Sequence, residues 1–292
     1  MSVLTFSIDL TKIDFFNNYK LLDTLIENNI LTNKTKVDDL PLMEYLITSK
    51  KNYLLENLLQ KNFDVNEECN ERSPLYISVW KNNIKASKIL LKHKADINYK
   101  RNSNNSTCLY KAVENNNTKI VKLLLNHKAD PDNELIDGAT PLLIAVQNNN
   151  PKCIKLLLGS DVDINKITKM GITPLFIACQ FDFINTVRTL IEHKADINKK
   201  LKKGYNLINS TVIENNVDCL KLLIKNKINL EETNGESIFN GLENYSDECV
   251  ECLINNGYNI DVKDECGLSP LHIAVKNNNI IIINSLIEKK VD

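Results

Sequence analysis

The stretch Leu90-Leu91-Lys92-His93-Lys94-Ala95-Asp96-Ile97-Asn98 decides the fold, because the chain contains it more than once. It returns as Leu124-Leu125-Asn126-His127-Lys128-Ala129-Asp130 and again as Leu190-Ile191-Glu192-His193-Lys194-Ala195-Asp196-Ile197-Asn198. A second phrase keeps step with it. Thr140-Pro141-Leu142 recurs as Thr173-Pro174-Leu175, 33 residues later. Ser73-Pro74-Leu75, Thr107-Cys108-Leu109 and Ser269-Pro270-Leu271-His272-Ile273-Ala274 belong to the same series, and Leu40-Pro41-Leu42 opens it. Two independent phrases with one period define a repeat array, in which each unit buries its apolar face against its neighbours.

Each unit reads as helix, turn, helix, loop. Ser or Thr before Pro starts a helix: the hydroxyl caps free N–H groups, and Pro suits the first turn. Leu142 with Ala145, and Leu175 with Ala178, then share one face at i, i+3. Asn148-Asn149-Asn150 breaks the first helix, and Ile120-Val121-Lys122-Leu123-Leu124-Leu125 is typical of the amphipathic second.

These residues resemble the ankyrin repeat, whose usual phrase is Gly-x-Thr-Pro-Leu-His-x-Ala, a Leu-Leu helix, then Gly-Ala-Asp-Val-Asn. The resemblance implies an all-α solenoid of helix–turn–helix units joined by short β-hairpin-like fingers. About eight units run from residue 40 to 292, the last truncated at the C-terminus. Residues 1–39, with Leu21-Leu22-Asp23-Thr24-Leu25-Ile26, read as a divergent N-terminal capping repeat. The family has Gly where the second helix ends in a left-handed residue. This chain places Lys94, Lys128, Lys194 and Lys227 there, with Asn62 and Asp161 in other units, and only Gly257 keeps the pattern. The units starting at Gly204 and Gly235 lose the helix-start phrase, so the stretch from Gly204 to Cys266 is expected to be irregular and least stable.

Composition narrows the function. The net charge of -1 gives no broad electrostatic reason to expect nucleic acid or an anionic membrane as partner. Met1 to Leu10 lacks a basic segment followed by an apolar run, so no secretory signal is expected. The most apolar stretch, Ile280 to Ile283, is too short to span a bilayer. Eight cysteines without a signal fit reduced thiols in the cytoplasm.

The residues that usually carry chemistry fall into the framework. His93, His127 and His193 share one repeat position, and His272 occupies the family's His. Cys249 and Cys252 form a C-x-x-C without a second pair, so packing is expected rather than zinc or redox chemistry. Cys69 and Cys266 lie near loop tips and are expected to be accessible. No phosphate-loop, dinucleotide, zinc-protease or nucleophile-elbow motif occurs. We therefore expect no enzyme, no catalytic residue, no cofactor and no metal.

The resemblance implies protein binding on the concave face, through loop tips and the exposed side of each first helix. Transferred by alignment, the helix positions are Trp80, Lys81, Glu114, Phe181 and Tyr245, with Gln147, Gln180 and Lys276 in the same register. For Trp80 and Tyr245 the alternative is packing over a neighbouring unit, and for Phe181 core packing is favoured. The loop positions are Arg72, Tyr99, Arg101, Lys169, Met170, Ile172, Lys202, Lys203 and Tyr205. Trp80 stands out as the only tryptophan, and an exposed aromatic beside arginine is typical of interface hot spots. The run Lys199-Lys200-Leu201-Lys202-Lys203 would favour an acidic partner. The expected protein is a monomeric, non-catalytic interaction scaffold or adaptor, with an unidentified protein partner and no small-molecule substrate, specific nucleic acid or membrane. A substrate-recognition subunit of a ubiquitin-ligase-type assembly and a pathogen or symbiont effector are the alternatives. Replacing Trp80 and Arg72 together by Ala is expected to weaken binding without loss of helix.

Overall fold

A computed structural model of the chain describes residues 24–28, 31–32, 35–202, 206–233 and 235–289. Most of the expected capping unit lies outside these. Its described part ends in a small antiparallel hairpin, β1 (Lys36–Val37) with β2 (Leu40–Pro41), which straddles residue 39. After it, the described residues form eight helix pairs: α1 (Leu42–Thr48) and α2 (Asn52–Gln60), α3 (Pro74–Trp80) and α4 (Ile84–Lys92), α5 (Cys108–Glu114) and α6 (Thr118–Asn126), α7 (Pro141–Gln147) and α8 (Pro151–Leu158), α9 (Pro174–Gln180) and α10 (Ile184–Glu192), α11 (Leu207–Ile213) and α12 (Val217–Lys225), α13 (Glu236–Glu243) and α14 (Asp247–Asn255), α15 (Pro270–Lys276) and α16 (Ile280–Glu288).

The helix starts are set locally, as the phrases require. Ser73, Thr107, Thr140 and Thr173 each accept a hydrogen bond from the backbone N–H three residues on, at 3.2–3.3 Å. The polar break between the helices also caps the second one. Asn83, Asn117, Asn150 and Asn279 accept from the amides of Ala86, Ile120, Cys153 and Ile282. The residue before most of these caps is left-handed, which Asn tolerates better than most side chains: Asn82, Asn116, Asn149 and Asn278 all have positive φ.

The chain divides into two compact units, Met1–Ile136 with Lys155–Ser160, and Asp137–Ile154 with Asp161–Asp292. In the first, α1 packs on α3 and α3 on α5, while α2 packs on α4 and α4 on α6. In the second, α7, α9, α11, α13 and α15 pack in sequence, as do α10, α12, α14 and α16. Close approach of the first helices needs a small residue at the family's Ala. Ser78, Ala112, Ala145, Ala178, Thr211 and Ala274 occupy it and are all 0% exposed. Gly241 fills that place in α13, where a Cβ would lie 2.5 Å from Val250 Cγ2. Leu75, Leu109, Leu142 and Leu175 are buried beside this row, each worth roughly 1.5–3 kcal/mol.

The second-helix ends have the backbone expected, except at Asp161, which is not left-handed. Asn62, Lys94, Lys128, Lys194 and Lys227 have φ of 64–67°, and Gly257 of 79°. The fourth pair ends differently, with the Gly159 and Ser160 amides donating to the Lys155 and Leu157 carbonyls. After most of these ends runs a ladder that the repeat phrases did not reveal. Asp96 accepts the Asn98 amide, and Asn98 in turn accepts the Asp130 amide of the next loop. Asn66, Asn165 and Asn198 make the same reach to Asp196 or its counterparts: Asn66 to the Asp96 amide, Asn165 to that of Asp196, Asn198 to that of Asn229. The Asp-x-Asn spacing thus stitches successive loops through their backbones.

The expected irregularity between Gly204 and Cys266 is confined to the connections. α11 and α12 have the usual lengths, because Asn206 replaces the Thr cap and accepts the Asn209 amide at 2.6 Å. Ahead of α13 the chain makes a short 3-10 turn, Leu230–Thr233, and enters the helix from left-handed Gly235. Ser237 is therefore inside the helix, fully buried, donating to Asn209 Oδ1.

Candidate partner-binding surface

In the first unit the surface centres on Trp80, the last residue of α3. Val79 before it is 0% exposed, whereas the indole is 39% exposed. The ring lies against two cations, with Arg72 Cζ 4.7 Å and Lys81 Nζ 4.0 Å from its centroid. Arg72 comes from a tight finger turn. Cys69 and Arg72 exchange both backbone hydrogen bonds, with Asn70 and Glu71 left-handed between them. The guanidinium also pairs with Glu44 of α1, Nη2 to Oε1 at 3.3 Å. Glu44 is 3% exposed, and its other oxygen, Oε2, has no hydrogen-bond partner among the described residues. The indole thus sits on an arginine that is itself anchored to a buried carboxylate.

The next finger repeats this theme more weakly. The Arg101 guanidinium lies 5.5 Å from the Tyr76 ring. Tyr99 is half-buried, and burial, with Glu68 beside it, pushes its phenol up to about 12. Glu114 is exposed but pairs with Lys111 in its own helix.

In the second unit, Lys169 and Met170 form the tip of a finger closed by the Thr168 amide on the Ile172 carbonyl, with Ile172 half-buried. Met170 is 57% exposed. Lys202, also exposed, donates its amide to the Gly171 carbonyl. Phe181 is not core: it caps α9 at 57% exposure and stacks on Phe183, with centroids 5.9 Å apart. Tyr245 is displaced from its expected register. Because α13 ends at Glu243, Tyr245 falls in the left-handed turn between α13 and α14, where other units have Asn82 or Asn116. It is 69% exposed there. Lys203 and Tyr205 lie outside the described residues.

The framework residues behave as such. His127 and His193 Nδ1 bond the Leu123 and Thr189 carbonyls at helix ends. His272 Nδ1 lies 2.7 Å from Ser269 Oγ at the start of α15. Cys249 and Cys252 are both buried, and burial raises both thiols, Cys249 to about 12. Cys69 corrects the expectation of an accessible loop thiol. It is 3% exposed and is pushed up to about 11 by burial and then by the Glu44 charge. Cys266 is exposed. Among the described residues no group of three or more His, Cys, Asp or Glu is placed to hold a metal ion.

The family model for ankyrin repeats (3 copies) matches residues 13–101, 99–168, 162–234 and 238–292. This chain belongs to the ankyrin repeat family. Its members are generally protein–protein interaction modules and typically non-catalytic, and the helix pairs with their fingers are the structural form of that family. No curated protein matches the chain significantly. No described helix of this ankyrin repeat protein is long and apolar enough to cross a membrane.

Proposed function

We propose that this ankyrin repeat protein is a non-catalytic adaptor or scaffold of the cytoplasm, and that a partner protein docks on the surface around Trp80. One observation carries the reading. A large aromatic is left 39% exposed on a helix whose preceding residues are buried, and it is held in place by Arg72 and Lys81. A rigid, amphipathic side chain already ordered before contact lowers the cost of binding, and tryptophan with arginine is the usual composition of an energetic hot spot. The eight free thiols fit a reducing compartment.

The test is affinity capture from lysate of the source organism with the wild-type chain and with Trp80→Ala. A specific partner should be retained by the first and lost by the second, a drop of about 2 kcal/mol or more, with the helical circular dichroism unchanged. Arg72 stays in place in this comparison, because its removal would strand buried Glu44. Capture of the same proteins by both chains would remove Trp80 from the interface.

A further inference from the structure

Two neighbouring fingers of the second unit present Lys169, Lys199, Lys200 and Lys202, which pair with no carboxylate among the described residues. One runs over residues 165–172, the other over 197–202. Asn165 Oδ1 accepts the Asp196 amide at 2.8 Å, and the Lys202 amide donates to the Gly171 carbonyl at 3.2 Å. Gly171 permits this approach. Its φ is +93°, and a Cβ there would lie 2.3 Å from Lys202 Cβ. The fingers are therefore locked together, with Lys169, Lys199, Lys200 and Lys202 all exposed on them.

The charge is one-sided. Residues 164–181 and 197–213 contain no Asp or Glu. None of these four lysines joins an ion pair among the described residues. Asp163 and Asp196, at the finger bases, accept the amides of Asn165 and Asn198 instead. The following loop reverses sign. It is tied on by the Asn229 amide to Asn198 Oδ1 and carries exposed Glu231, with exposed Glu236 opening α13 after it. Met170, next to Lys169 at the tip of the first finger, is 57% exposed.

We infer that this double finger docks an acidic peptide segment of a partner protein, its carboxylates on the lysines and an apolar side chain against Met170. The inference rests on the reading of the chain as an interaction module, but concerns a surface other than Trp80. Charge complementarity selects the occupant. A nucleic acid carries its charge along the whole strand and would run onto the neighbouring glutamates. The described fingers also lack an aromatic on which a base would stack.

The probe is a fluorescein-labelled synthetic peptide of glutamates around a central leucine, titrated against the full chain by anisotropy. Controls are the same peptide with Gln for Glu and an oligothymidylate of equal charge. The glutamate peptide should bind and weaken with added salt, and the Gln version should not bind. Lys169→Glu with Lys199→Glu and Lys202→Glu should cost about tenfold or more in affinity. Lys152→Glu with Lys221→Glu and Lys225→Glu, an equal change of net charge, should cost about twofold or less. Lys→Gln at the three finger positions should lose an intermediate amount, which guards against misfolding of the reversed variant. Equal losses in both triple variants, no binding of the glutamate peptide, or tighter binding of the oligothymidylate would overturn the inference. Purified components are used throughout, so the Trp80 capture can fail without affecting this titration, and the reverse holds too.

Discussion

Glu44 and Arg72 form an ion pair with side chains only 4% and 19% exposed. A charge removed from water costs several kcal/mol unless its partner and hydrogen bonds offset the loss. Arg72→Ala should therefore destabilise the protein by about 3 kcal/mol, read as a shift in the urea midpoint. Glu44→Gln in the same background should recover part of that loss, since it neutralises the stranded carboxylate. A recovery of nothing would show that Arg72 acts by packing on Trp80 alone. Trp80 was legible in the sequence, being the chain's single tryptophan at a position where another unit has Lys276. Glu44 was not. It sits where other units place Tyr76, Tyr110 or Phe176, and only the folded finger brings Arg72 to it.

At the scale of the element, the second-helix ends show a cost retained in the sequence. Lys94, Lys128, Lys194 and Lys227 hold a left-handed backbone that crowds any Cβ. Replacing any one with Gly should stabilise the protein by about 1 kcal/mol or less, after the added entropy of the unfolded chain is subtracted. Urea denaturation of the four single variants checks this, and a consistent loss of stability would mean that the Lys stems contribute packing. These ends could be read from the sequence because a helix terminus is decided by the few residues around it. The register of α13 could not. Gly235 caps that helix two residues ahead of Ser237, and the helix ends at Glu243, which puts Tyr245 in a turn rather than on a helix face. Without a capping side chain, local signals leave the start open, and the packing of Ser237 against Asn209 chooses it.

Across the whole molecule, seven of the eight free thiols are buried, in both units. Burial favours the neutral thiol. Against an ordinary value of 9.0, Cys69 rises to about 11 and Cys108 and Cys249 to about 12, while Cys179 and Cys219 are also raised well above it. The unfolded chain therefore loses these protons at lower pH than the folded one. Stability from this source is complete below pH about 8 and falls as pH rises from about 9 toward 12. Urea midpoints at pH 7, 9 and 10.5 (about these values) should be level at first and then drop; a level response throughout would mean the thiols are accessible to water. By itself the sequence determined the repeat, the helix pairs, their caps and their left-handed ends. Those depend on short-range hydrogen bonding and on a period that each unit restates. The tertiary structure decided which side chains meet water. It exposed Trp80 and Phe181, buried Cys69 and Glu44, and locked the lysine fingers through Gly171. Burial is set by what the neighbouring units place against a residue, and no period in a single unit records that.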